Sequence, residues 1–269
     1  MSTNPLGQSA EYPQEYAPEV LFAIPRTESR ATLGIDADLP FQGSDIWNAW
    51  DFTWLDNRGQ PVAGTASFSI DADSPNIVES KSLKLYLGSF AMTRYEDGVD
   101  IVKALYDDLT KLTGLPVSVA IDSNFDENVR VIEQLPGQNI DKQPMTRWSD
   151  EVDPELLRAA DETVTETLHT NLLRSLCPVT GQPDIGSLMI HYRGPRIDRS
   201  SLIDYIVSFR QHEDFHETCV ERMFLDIKEH CGPDELTVYA CYNRRGGIDI
   251  NPFRTDFGDE PPIGRFWRQ

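Results

Sequence analysis

The sequence predicts an α+β fold built from two tandem copies of a β-β-α-α-β-β unit. Three observations predict it. Strand-like alternation and helical periodicity follow one another in the same order twice along the 269 residues. A turn with a trailing glycine, Gly59-Gln60-Pro61 and Gly64, recurs as Gly181-Gln182-Pro183 and Gly186, an offset of 181 − 59 = 122. A helix recurs at 198 − 79 = 119, pairing Ser82 with Ser201, Leu83 with Leu202, Tyr86 with Tyr205, Ser89 with Ser208 and Phe90 with Phe209. Tyr and Leu at helical spacing could reflect shared core packing alone; the coincident turn favours duplication.

Residues 1–45 are polar and proline-bearing, with one short apolar run from Val20 to Ile24, and read as an extended arm that wraps the body. The first unit, 46–150, opens with alternation over Trp47–Trp54 and Val62–Ile70. Helices follow over Ser80–Thr93 and Gly98–Thr113, then strands over Pro116–Ile121 and Asn128–Glu133. The second unit, 151–269, has strands over Val164–Arg174 and Ile185–Tyr192, helices over Ser200–Gln211 and His216–His230, and strands over Leu236–Tyr242 and Ile248–Phe253.

Composition bounds the function. Hydrophobic residues at 39% with 10% aromatics fit a globular enzyme. A formal charge of −20 argues against a nucleic-acid partner, because such affinity rests on Lys and Arg neutralising phosphates. From Arg244 to the C-terminus five Arg slightly exceed four acids, so a small anion could bind there. No signal-peptide pattern opens the chain and no apolar run approaches the ~20 residues that cross a bilayer, which points to the cytoplasm. Cys177, Cys219, Cys231 and Cys241 lack C-x-x-C and framework spacing, so neither disulfides nor a structural metal is expected.

Four segments could carry chemistry. Cys177 sits among Pro and Gly between two predicted strands, which suggests a loop thiol rather than a packed one, and Asp184 follows at the start of the return strand. Glu79-Ser80-Lys81-Ser82-Leu83-Lys84 begins a helix, where free N–H groups, the dipole and two Lys would suit a phosphate. A solvated face with Ser80 as an ordinary cap explains the same residues. His216-Glu217 opens another helix, and a capped helix start is the bland alternative. In Arg244-Arg245-Gly246-Gly247 the glycines would let backbone approach a ligand and the Arg meet a phosphate, against a simple hairpin turn. No G-x-G-x-x-G follows a strand, so a dinucleotide would not be held in Rossmann fashion.

Together these segments resemble the 7-cyano-7-deazaguanine reductases of queuosine biosynthesis, in the longer two-module form of the tunnelling-fold superfamily. Glu79–Tyr86 (ESKSLKLY), the Cys-(six residues)-Asp element at Cys177 and Asp184, Phe215-His216-Glu217 and the RRGG turn occur in that family's order, and the resemblance covers about Ile46 to the C-terminus. It implies antiparallel sheets with helices on one face, NADPH as cofactor and a homodimer acting on a small molecule. It further implies Cys177 as nucleophile and Asp184 as proton donor, Val78, Glu79, Ser80, His216 and Glu217 as base contacts, and Ser80, Lys81, Arg245 and Gly246 as NADPH contacts. These residue types suit the chemistry. A polarizable thiolate adds to a nitrile carbon, an acid protonates the nitrogen, and an ionised Glu accepts two N–H bonds from a guanine-like edge.

Two rivals remain at this point. A zinc-dependent GTP cyclohydrolase would show a Cys-x-x-His ligand pair, and here that position is Thr180. An acidic interaction module has only the charge in its favour, which solubility also explains.

Overall fold

The computed structural model describes residues 12–36, 38–123 and 131–269. The elements of the first part are β1 (Ala23–Pro25), α1 (Arg26–Thr32), β2 (Gln42–Leu55), β3 (Pro61–Asp71), β4 (Asn76–Val78), α2 (Ser80–Gly88), α3 (Gly98–Thr113) and β5 (Ser118–Asp122). Then come β6 (Ile132–Glu133), β7 (Gln138–Asn139), β8 (Ala159–Leu176), β9 (Pro183–Ile197), α4 (Arg199–Ser208), α5 (His216–Cys231), β10 (Glu235–Tyr242), β11 (Ile248–Thr255) and β12 (Arg265–Phe266). Contacts divide the described residues into two compact units, one of 12–36, 38, 44–123 and 244–249 and one of 39–43, 131–243 and 250–269. The fold class is α+β with predominantly antiparallel pairing.

In the first unit β2, β3 and β5 pair antiparallel with β3 in the middle. The phase of β2 explains its length. Trp47 and Ala49 are buried at odd positions, Phe52 and Trp54 at even ones, and a β-bulge between Ala49 and Phe52 makes the switch. α3 is amphipathic, burying Ile101, Leu105 and Leu109, and is bounded by the Asp97 cap and by Gly114 at φ 90°. α2 stops at Gly88, short of the expected Thr93, where Ser89 turns its hydroxyl back to the Tyr86 carbonyl. The arm is extended only in part. A 3₁₀ turn covers Pro18–Val20, and α1 follows β1, with Arg26 buried against Asp45.

In the second unit β9 pairs with β8 on one side and β10 on the other, β11 joins β10, and β7 adds a parallel edge to β8. β8 carries a bulge between Thr170 and Leu173, the counterpart of the one in β2. α5 packs its apolar face, Val220, Met223, Phe224 and Ile227, into the core and ends at Gly232, φ 61°. The strand expected over Asn128–Glu133 falls partly outside the described residues, and Ile132–Glu133 forms β6.

One set of hydrogen bonds recurs in the two units. Glu79 N–H donates to Phe22 O (2.9 Å) and Phe22 N–H to Ser82 Oγ (3.0 Å); Asp198 N–H donates to Arg158 O (2.9 Å) and Arg158 N–H to Ser201 Oγ (3.1 Å). Tyr86 Oη donates to Asp108 and Tyr205 Oη to Asp226, both at 2.6 Å. The residues that the 119-residue offset pairs are therefore paired in what they bind as well.

Candidate functional site

The candidate residues fall into two groups, one in each unit. In the first unit Val78 ends β4 and is buried, and Glu79 caps α2. Glu79 accepts from Lys81 N–H through Oε1 and from Ser82 N–H through Oε2, each at 2.7 Å. This corrects two expectations. The cap is Glu79 rather than Ser80, which is the first helical residue, and the N–H groups of Lys81 and Ser82 already serve a carboxylate instead of standing open to a phosphate. What remains for an anion is side-chain charge: Lys81 and Lys84 are half-buried on α2.

The Arg244–Gly247 segment is a tight turn. Arg245 N–H bonds Ile248 O at 2.9 Å, and Gly246 and Gly247 lie at φ 60° and 83°, values that favour glycine at both central positions. The turn is fastened to the bulge of β2, since Trp50 N–H donates to Gly247 O (2.8 Å) and the Asn48 amide and Trp50 indole donate to Asp249. A Cβ on Gly246 would stand 3.2 Å from the Lys84 stem, so bare backbone faces that lysine. Lys84, Gly246, Gly247, Asp51 and Phe52 line an open groove of about 200 Å³.

In the second unit Cys177 opens the turn joining β8 to β9, its N–H bonding Gln182 O (3.0 Å) and its carbonyl accepting from Gly181 N–H (2.9 Å). Cys177 is half-buried, whereas Cys219, Cys231 and Cys241 are buried. Burial drives the Cys219 thiol far above its ordinary pKa and pushes Cys231 up to about 12, so both stay protonated. Asp184, 3% exposed, stands opposite Ser175 in the β8–β9 register. α5 begins against this strand pair, because Leu176 N–H bonds His212 O and Asp214 N–H bonds Leu176 O. His216 Nε2 then lies 3.2 Å from Asp184 Oδ2, an ion-pair distance out of line for a hydrogen bond. Glu217, 4% exposed, sits in the first turn of α5, where the dipole favours an anion; Phe215 at the cap offers no side-chain bond.

Three neighbours of this group were not legible in the sequence. Tyr242 stacks on His216, centroids 3.9 Å apart at 27°. Asn243 clasps β9 beside Asp184, its N–H to Ile185 O and its Oδ1 from Ile185 N–H. Ser175 is fully buried. Each arrives through strand register over tens of residues, and neither a tyrosine nor an asparagine at a strand end carries a local signal.

A family model described as "Nitrile reductase, 7-cyano-7-deazaguanine-reductase N-term" matches residues 12–121, so the match takes in most of the arm, and "QueF-like protein" matches residues 183–260; Cys177 lies between them. The chain is 51% identical over 262 residues to the NADPH-dependent 7-cyano-7-deazaguanine reductase of Burkholderia lata, with 96% of this chain and 95% of the relative covered. The enzyme of the same name from Bordetella parapertussis is 51% identical over 263 residues, covering 97% and 96%. A solved structure titled as an archaeosine synthase QueF-Like in the apo form aligns with 39% of this chain and 100% of its own, at 18% identity and a TM-score of 0.31, too weak to bear on the fold. By sequence, the chain belongs to the NADPH-dependent 7-cyano-7-deazaguanine reductase family.

Proposed function

We propose that the chain reduces the nitrile of 7-cyano-7-deazaguanine to an aminomethyl group through a thioimide on Cys177, as a two-module cytoplasmic homodimer acting on the free base in queuosine biosynthesis. The observation that carries it is that Cys177 alone of four cysteines escapes burial, at a hairpin tip whose return strand presents Asp184 against His216. In the first step the Cys177 S–H bond is lost and an S–C bond forms to the nitrile carbon. One C–N π bond breaks, and the nitrogen takes a proton from Asp184, which the thiol proton replaces. Cys177 later leaves as thiolate when the imine forms.

The residues present suit NADPH. A turn of bare backbone held beside Lys84, with Lys81 and Arg245 adding cations, fits phosphate groups, and the three side chains supply the charge that the capped helix start does not. Each NADPH, when bound, would supply one hydride, so nitrile-to-amine reduction needs two molecules in succession. Glu217, with His216, Val78, Glu79 and Ser80, would contact the base. Glu217, buried in the first turn of α5, would supply the ionised carboxylate for bidentate recognition.

The test is intact-mass analysis after incubation with 7-cyano-7-deazaguanine and no NADPH. Wild type is expected to gain the mass of one base per chain and Cys177→Ala none. An unmodified wild type, or an adduct that survives in Cys177→Ala, refutes the reading.

A further inference from the structure

We propose that Tyr242 is a positioning residue for the proton delivered to the nitrile nitrogen, its ring forming the platform that sets His216 against Asp184. The inference rests on the reading of Asp184 as proton donor. Tyr242 ends β10 opposite Gly186 of β9, and Asp184 lies two residues back along the same strand, so Asp184 and Tyr242 share one face of the sheet. Gly186 puts no side chain between them. A Cβ there would meet the Cys241 carbonyl at 2.9 Å, which keeps the position bare. Into that gap α5 lowers His216, flat on the Tyr242 ring and 3.2 Å from the Asp184 carboxylate.

The contact works through the ring and not through the phenol. Tyr242 Oη is buried beside Ser175 and Cys219 with no well-aligned hydrogen bond. The negative face of an aromatic ring favours imidazolium over imidazole. The groups that face His216 are Asp184 on β9 and Tyr242 on β10; Asp214 and Asp184 also act on Cys219, further along α5, and Glu217 follows His216 in sequence. Tyr242 thus holds the His216 ring beside the Asp184 carboxylate, which delivers the proton that the nitrogen receives as the S–C bond forms and the C–N π bond breaks, through a contact that strengthens when the imidazole is charged.

The experiment replaces Tyr242 with Phe and with progressively fluorinated phenylalanines, which weaken the ring face at nearly constant volume, and adds Tyr242→Leu. Adduct formation on Cys177 without NADPH is followed against pH, the His216 ring is titrated by NMR, and base affinity and Tm are measured alongside. Tyr242→Phe is expected to keep the wild-type rate and basic limb. The fluorinated series should move that limb, and the His216 titration with it, to lower pH in order of fluorination, with Tm and base affinity little changed. Tyr242→Leu should slow adduct formation about tenfold. A basic limb and a His216 titration that ignore fluorination overturn the proposal and leave Tyr242 as packing, even if Tyr242→Leu unfolds. Failure of the wild type to form an adduct would instead refute the reading on which it rests, and the NMR titration still reports on the stack.

Discussion

Thiol reagents should separate the four cysteines on access and ionisation together, since Cys177 is half-buried at a turn while the other three lie in the core. Iodoacetamide at pH 8 is expected to modify one thiol per folded chain, mapped to Cys177 by peptide mass. Modification of Cys219 at a comparable rate would contradict the burial that holds its proton on. Glu217→Gln is expected to weaken binding of the base by about 1.5–3 kcal/mol, the worth of a charge-assisted hydrogen bond, and to leave NADPH affinity unchanged. Calorimetry with each ligand decides this, and equal loss for both would return Glu217 to the helix-start role. Cys177, Asp184 and Glu217 stood out as candidates in the sequence because they lie in turn-rich or helix-opening segments. Tyr242 did not, because its place beside His216 is set by the pairing of β10 with β9 and leaves no local signal.

At the scale of elements, α3 could be read from its ends, Asp97 and Gly114, and from the buried Ile101, Leu105 and Leu109 between them. β2 was read as starting at Trp47, yet it begins at Gln42, since glycine and polar side chains at its outer end hide the strand from an apolar count. The Arg244–Gly247 turn gives a paired prediction. Gly247→Ala forces a residue with a Cβ to φ 83° and sets that Cβ 2.7 Å from Asp51 Oδ2, so it should lower stability by about 1 kcal/mol. Gly88→Ala, at the end of α2 with nothing within 4 Å, should raise stability by up to about 1 kcal/mol. Urea melts of the two variants check the signs, and a neutral Gly247→Ala would show that the turn is not held as described. The starts of α2 and α4 differ in charge. Arg199, at the first position of α4, is spent in an ion pair with Glu166 at 3.0 Å, and the 119-residue offset sets it against Ser80, while Lys81 is set against Ser200.

The whole molecule carries a formal charge of −20, and its acids set how it meets low pH. Burial opposes ionisation of Asp141, but bonds from Thr170, Asn171 and Asn139 outweigh it and hold the carboxyl below its ordinary pKa. Burial likewise opposes Asp259, and bonds from His191, Thr237 and the Glu260 N–H prevail. A folded-state pKa below the unfolded one stabilises the fold at neutral pH. That contribution is complete above the unfolded value of about 4 and is lost as pH falls through the folded value. Asp141→Asn is therefore expected to be less stable than wild type at pH 7 and to lose less on acidification, in chemical melts from pH 7 to 3. Parallel curves would remove Asp141 from the acid response. The repeated turn and helix led to the expectation of two modules, 46–150 and 151–269. The grouping of 244–249 with the first unit was not legible, because it depends on Trp50 and Asn48 reaching residues some two hundred positions away.

The bulge in β8 has a consequence for how this gene can change. Because inward and outward positions alternate along a strand, the extra residue between Thr170 and Leu173 acts as a spacer that sets the reading frame of faces for all that follows, Ser175 and the Cys177 hairpin included. Substitutions at Asn171 or Leu172 would alter one side chain each. Deletion of either would turn the rest of the strand over, sending Leu173 and Ser175 outward together, so this stretch should drift by replacement while staying fixed in length.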